Sequence, residues 1–141
     1  MAPLDAESIR SKIARIRKNL VELKKLGKLP FKKYQSDILN TSTAERLIHV
    51  TIEAMLDIGS HIIASESLGD PSEYREIFIL LTKNGILPKQ KEKNFLDLAG
   101  LRNRIVHLYE DIDHKLLHKA LRTELDDMEL FIKAIVKYLS K

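Results

Sequence analysis

A chain of 141 residues with 44% apolar content is long enough for one packed core and short for two, so residues 1–141 read as a single domain. The lack of cysteine excludes disulfides, thiolate nucleophiles and cysteine-based zinc or iron–sulfur sites, and abundant Leu, Ile, Ala, Lys and Glu favour helix over strand. The formal charge of +4 is uneven: residues 1–33 hold ten Lys and Arg against three acids, +7 there and −3 for the rest, which suits a phosphate backbone but is more commonly a solvated lysine-rich helix face.

The first helix opens after Asp5, a good N-cap, and runs to Leu26 with Gly27 as its stop. Ile9, Ile13, Ile16, Leu20 and Leu23 give it an apolar seam suited to antiparallel bundle packing. Leu29-Pro30-Phe31 makes the connection, a short helical piece covers Lys32 to Leu39, and Asn40-Thr41-Ser42-Thr43 breaks or caps it. The second main helix follows from about Thr43 to Ser65. Its Leu47, Val50, Ile52, Ala54, Met55, Ile58, Ile62 and Ile63 fill more than one stripe, which predicts burial on two sides, at the centre of the fold or at an interface.

The same helix carries Glu45, His49, Glu53, Asp57 and His61 at four-residue steps, a polar ridge along one flank. Three readings stay open for it: a solvated flank, ligands for metal ions, or one wall of a polar cleft completed by a later helix. Di-metal bundles take ligands from several helices with Glu-X-X-His on two of them, and that repeat is missing here. Neither a metal nor another cofactor is expected.

Ser67 to Pro71 is a loop, with Asp70 as cap and Pro71 in the first turn of a short helix that ends before Gly85. Tyr74, Ile77, Phe78, Leu80 and Leu81 bury that helix. Ile86-Leu87-Pro88 leads into the next, whose first turn holds Lys89, Lys91 and Lys93, an arrangement that opposes the helix dipole and suggests an acidic partner or substrate. After a turn at Glu110 to Asp113, one last helix runs from His114 to about Leu139, with Leu117, Leu121, Leu125, Met128, Phe131, Ile132, Ile135 and Leu139 at helical spacing. His114 and His118 form an i,i+4 pair fit for zinc, with no third ligand nearby. The sum is all-α: an up-and-down bundle of four main helices plus a short one. No apolar run approaches a membrane span and no apolar leader precedes the charged N-terminal stretch, so the chain reads as soluble and cytoplasmic.

Chemistry concentrates in Leu98 to Glu110, LAGLRNRIVHLYE. On a helix with Arg102 as zero, Leu98, Leu101, Ile105, Leu108 and Ile112 fall between about 240° and 320°, the face toward the core. Asn103 and His107 fall at about 100° and 140°, away from it, and Tyr109 lies within about 20° of Arg102. On spacing alone, the commoner reading of such a histidine is a solvated or capping side chain.

Arg102, a polar residue, three further residues and His107 resemble the R-X4-H motif of the HEPN superfamily, all-helical domains many of which are metal-independent ribonucleases. The continuation to Tyr109 is similar to the R-X4-H-X-Y form of the HepT family, the toxins of HEPN/MNT toxin–antitoxin systems. Length, helical pattern, and the segments Thr51 to Ile58 and Ser72-Glu73-Tyr74-Arg75 resemble that family as well. The resemblance implies an RNA substrate, a homodimer with Arg102 and His107 of both copies around one cleft, and Tyr109 as the residue to which a partner MNT-type nucleotidyltransferase attaches AMP. The residue types suit that chemistry: histidine titrates near working pH and moves protons, arginine clamps a phosphate with two donors, and Asn103 can hydrogen-bond the imidazole or the phosphate. Two other readings remain, a non-catalytic helical partner or substrate-binding subunit of a small nucleotidyltransferase, and a metal-binding bundle built on the ridge.

Overall fold

In the computed structural model, which describes residues 3–106 and 112–141 and of 102–106 the backbone alone, the described residues form seven α-helices, one 3₁₀ turn and no strand. In chain order these are α1 (Ala6–Lys28), α2 (Phe31–Ser36), α3 (Ile38–Glu66), α4 (Tyr74–Lys83), the turn Lys89–Lys91, α5 (Glu92–Val106), α6 (His114–Thr123) and α7 (Leu125–Leu139). The class is all-α, as expected, with α1 and α3 longer than the sequence pattern suggests and the final helix divided in two.

α1 starts where predicted, the Asp5 carboxylate accepting the Ser8 backbone N–H at 3.0 Å. All five seam residues, Ile9 to Leu23, are buried. Gly27, however, is no stop. It lies inside α1 and is buried, because a bare Cα lets this helix touch the backbone of Leu121 in α6.

α3 begins at Ile38, earlier than predicted. The Asp37 carboxylate caps it by accepting the Leu39 N–H at 2.9 Å, the Thr41 hydroxyl donates to the Ile38 carbonyl at 3.3 Å and the Asn40 amide donates to the Lys33 carbonyl of α2 at 3.4 Å, and the backbone runs helical through Asn40 to Thr43 instead of breaking there. This helix packs against α1, α2, α4, α5 and α6 and is the centre of the fold. Ala44, Ile48, Ile52, Met55, Leu56, Ile58, Ile62 and Ile63 are buried on it, whereas Leu47, Val50 and Ala54 are only partly covered. By length and composition α3 is apolar enough to cross a membrane, which the sequence reading did not allow, yet half of its most apolar window is buried inside this bundle, as in a core helix.

Two contacts fix α1 and α3 as antiparallel: the Asp5 N–H donates to His61 Nε2 at 2.9 Å, and Asn19 donates to the Thr51 hydroxyl at 3.2 Å. α4 starts at Tyr74, beyond Asp70 and Pro71, which remain in the loop. There the Glu76 carboxylate accepts from the Ser72 backbone and hydroxyl at 3.0 and 3.1 Å, and Tyr74 stays exposed. Phe78, Phe95 and Phe131 bring α4, α5 and α7 together, with ring centroids 6.0 to 6.4 Å apart.

The predicted last helix is two. At Glu124 the backbone departs from ideal helix (φ −105°, ψ −11°), and the Thr123 hydroxyl just before it bonds back to the Lys119 carbonyl at 3.1 Å. Leu121 and Leu125 are buried on either side of the break, so the apolar spacing runs through it unchanged.

Candidate active site

α5 is seated by Phe95, Leu98 and Leu101, all 0% exposed, and packs against α3 and α4. The arc predicted to meet the core does so as far as Leu101. Arg102 and Asn103 follow on the backbone of the final turn and a half of α5. His107 and Tyr109 lie outside the described residues, so the structure brings together none of the four predicted site side chains.

The surroundings of that stretch are described on both sides. Before it, a groove of about 390 Å³ forms where Ser72, Tyr74 and Arg75 meet Ala99 and Gly100 of α5. The segment Ser72 to Arg75 is therefore a neighbour of the motif helix, and the exposed Arg75 of α4 lines this groove opposite Gly100, which lies two residues before Arg102 on α5. Sequence reasoning gave Arg75 no role; a cation inside a segment similar to the family was the available signal.

After the stretch, Ile112 packs against the core and Asp113 caps α6, accepting from the N–H groups of Lys115 and Leu116 at 3.1 Å each. His114 then ties α6 to two other helices. Its Nε2 meets the Glu45 carboxylate at 2.7 Å and its Nδ1 meets the Tyr34 hydroxyl at 2.9 Å. In the tautomer with Nε2–H donating to Glu45, Nδ1 accepts a hydrogen bond from the Tyr34 hydroxyl. Burial of Tyr34, and secondarily the negative charge of Glu45, raise its hydroxyl well above the ordinary tyrosine range and keep it a donor. This link, absent from the sequence reading, anchors the start of α6 to α2 and α3.

The ridge on α3 is partly used up by such contacts: Glu45 holds His114, and His61 accepts from Asp5. His118, the other half of the presumed zinc pair, donates from Nε2 to the Leu29 carbonyl at 2.8 Å. Among the described residues, no three His, Asp or Glu side chains come together to hold a metal ion.

Comparison with known proteins places these features in context. A family model for HepT-like proteins, described as Ribonuclease HepT-like, matches residues 16–135. The tRNA nuclease HepT of Aphanizomenon flos-aquae is 31% identical over 139 residues, which cover 99% of this chain and 95% of that protein. The mRNA nuclease HepT of Shewanella oneidensis is 34% identical over 83 residues, 59% of this chain and 62% of that one. Among solved structures, the tri-AMPylated Shewanella oneidensis HEPN toxin in complex with MNT antitoxin matches with a TM-score of 0.80 at 26% identity, over 92% of this chain and 96% of that chain.

Proposed function

The chain belongs to the HepT-like ribonuclease family, and from that premise we propose that it is an endoribonuclease toxin whose composite Arg102/His107 site lies in a homodimer cleft. It cuts RNA in the cytoplasm without a metal. A cognate MNT-type nucleotidyltransferase neutralises it by attaching AMP to Tyr109.

The observation that carries this reading is the Arg102, His107, Tyr109 spacing in the sequence, which follows directly on a helix whose Phe95, Leu98, Ala99 and Leu101 are buried. Burial of Leu98 and Leu101 supports the helical wheel that turns Asn103 and His107 away from the core. In the reaction, one His107 takes the proton of the 2′-hydroxyl as its oxygen attacks phosphorus. The 5′-oxygen then leaves with a proton from the partner's His107, giving a 2′,3′-cyclic phosphate and a free 5′-hydroxyl. Arg102 neutralises the charge that grows on the phosphorane, and Asn103 orients the imidazole or the phosphate. An adenylyl group on Tyr109, which ideal helical rise would set about 10 Å from Arg102, would place a second phosphate near that arginine and bulk in the cleft.

The test is cleavage of RNA in the presence of chelator. The parent is expected to yield cyclic phosphate ends, and Arg102→Ala and His107→Ala each to abolish cutting while keeping the helical circular dichroism. Variants that cut like the parent would overturn the catalytic assignment. Incubation with the cognate nucleotidyltransferase and ATP should add the mass of AMP to the peptide holding Tyr109, and Tyr109→Phe should escape silencing. A chain that binds that enzyme yet cuts no RNA is the non-catalytic partner subunit.

A further inference from the structure

The basic N-terminal segment is not absorbed by the site on α5, and the fold shows where part of it goes. Gly27 lets the end of α1 press on the backbone of Leu121, at 3.0 Å from a Cβ built on the glycine to the carbonyl oxygen. Their chain neighbours, Lys28 and Arg122, therefore line one groove of about 530 Å³. Arg122 also lines a second groove, of about 600 Å³, with Lys115, Lys119 and Phe31. Lys115, Lys119 and Arg122 are spaced four and three apart, a single stripe of roughly 10 Å along α6. All three are exposed, and no ion pair to an acid is formed by any of them among the described residues. Of the neighbouring acids, Asp113 caps α6, Glu129 pairs with Lys24 and Glu124 is engaged in a contact of its own, while Asp126 lines the first groove beside Lys28 and Arg122 as a single negative charge.

Helix stability does not explain the stripe. Lys28 at the end of α1 and Arg122 at the end of α6 suit the helix dipole, but Lys115 lies in the first turn of α6, where positive charge is unfavourable. The second groove also has an aromatic wall: Phe31, partly buried, stands edge-on to His118 with centroids 5.6 Å apart. Cations that track a backbone beside an aromatic ring on which a base can stack are the chemistry of single-stranded nucleic-acid binding.

We propose that Lys28, Lys115, Lys119 and Arg122, with Phe31, form an RNA-docking track that holds the phosphodiester backbone of the substrate away from the cleaved bond. It rests on the ribonuclease reading above, and its test is chosen to stand apart from it.

The probe is a 2′-O-methyl oligoribonucleotide, which lacks the attacking hydroxyl and stays intact whichever residue performs the chemistry. Its affinity for the full chain is measured by fluorescence anisotropy across a salt series. For Lys115→Gln/Lys119→Gln/Arg122→Gln, binding at roughly 0.1 M salt should fall about tenfold or more, and the slope of log affinity against log salt should shrink by about 2, near 0.7 for each lost contact. Lys115→Arg/Lys119→Arg should bind like the parent, which separates lost charge from lost fold. Lys133→Gln/Lys137→Gln/Lys141→Gln, in the separate groove lined by α7 and the residues after it, should also bind like the parent. An unchanged affinity and slope in the α6 variant would overturn the track, as would an equal loss in the α7 variant, which would mean a diffuse charge effect. A loss of nucleotidyltransferase binding with RNA binding intact would make the groove a protein-docking surface and overturn it too. Track-dependent binding by a chain that cuts no RNA would instead sink the nuclease reading alone.

Discussion

A Cβ built on Gly27 would meet the Leu121 carbonyl oxygen at 3.0 Å and its carbonyl carbon at 3.2 Å, contacts with backbone that cannot swing aside. Alanine gains up to about 1 kcal/mol over glycine inside a helix, but overpacking of this kind costs about 1–3 kcal/mol, so the clash wins. Gly27→Ala is expected to lower stability by about 1–2 kcal/mol in urea denaturation; an unchanged or higher midpoint would mean that α1 and α6 separate at no cost. A second residue sets behaviour at high pH. Tyr138 donates to Glu66 at 2.8 Å, and burial first, then that bond and the charge of Glu66, push its hydroxyl up to about 12 from the usual 10. A tyrosine raised on folding favours its protonated form, so the stability it adds is complete below pH 10 and is lost as pH rises through 12. Ultraviolet titration should show a phenolate that forms near pH 12 in the parent and is missing in Tyr138→Phe; if the phenolate lost on that substitution is one that forms near pH 10, the Glu66 contact is absent in solution.

Three helices meet through the Tyr34, His114 and Glu45 side chains, and their bonds join α2, α3 and α6 where the chain leaves the motif stretch. Loss of the Tyr34 hydroxyl leaves the ring in place and His114 Nδ1 without its donor, which should cost on the order of 1 kcal/mol. In a double-mutant cycle, Tyr34→Phe and Glu45→Gln should couple, because both act through one imidazole; additive effects would mean that the three groups do not work as a unit. This arrangement marks the limit of what the sequence discloses. Seams and caps are local, so Ile9 to Leu23, the Asp5 cap and the class of the fold were legible from spacing alone. Gly27 misleads because glycine serves both as a helix stop and as a point of close approach, and only the neighbouring helix decides between them. Asn40 to Thr43 look like a break, yet α3 runs helical through them and the Thr41 hydroxyl bonds back to Ile38, and the step at Glu124 is invisible because both sides pack on the same core. His114 was legible as a possible ligand and not as the partner of Tyr34, which is 80 positions away in the chain. The motif itself was the clearest signal in the sequence, yet His107 and Tyr109 fall outside the described residues.

At the scale of the whole molecule, the two-sided burial of α3 finds its explanation inside one chain, since five other helices cover it. It therefore no longer argues for an interface, and the expectation of a dimer rests on chemistry and on the end of α5. Concerted transesterification wants a base and an acid, one chain has one His107, and in the proposed dimer a two-fold axis would supply the second in the same cleft. Light scattering at micromolar concentration is expected to give twice the chain mass of 16.2 kDa. Dependence on both histidines is the sharper test. When parent and His107→Ala chains are co-expressed in equal amounts and pair at random, only parent–parent dimers hold two histidines, so RNA cleavage should drop to about a quarter, against about a half if each chain acted alone. A linear fall with the fraction of variant chains, or a clean monomer that cuts RNA, would remove the composite cleft and leave each chain to complete the reaction with one histidine.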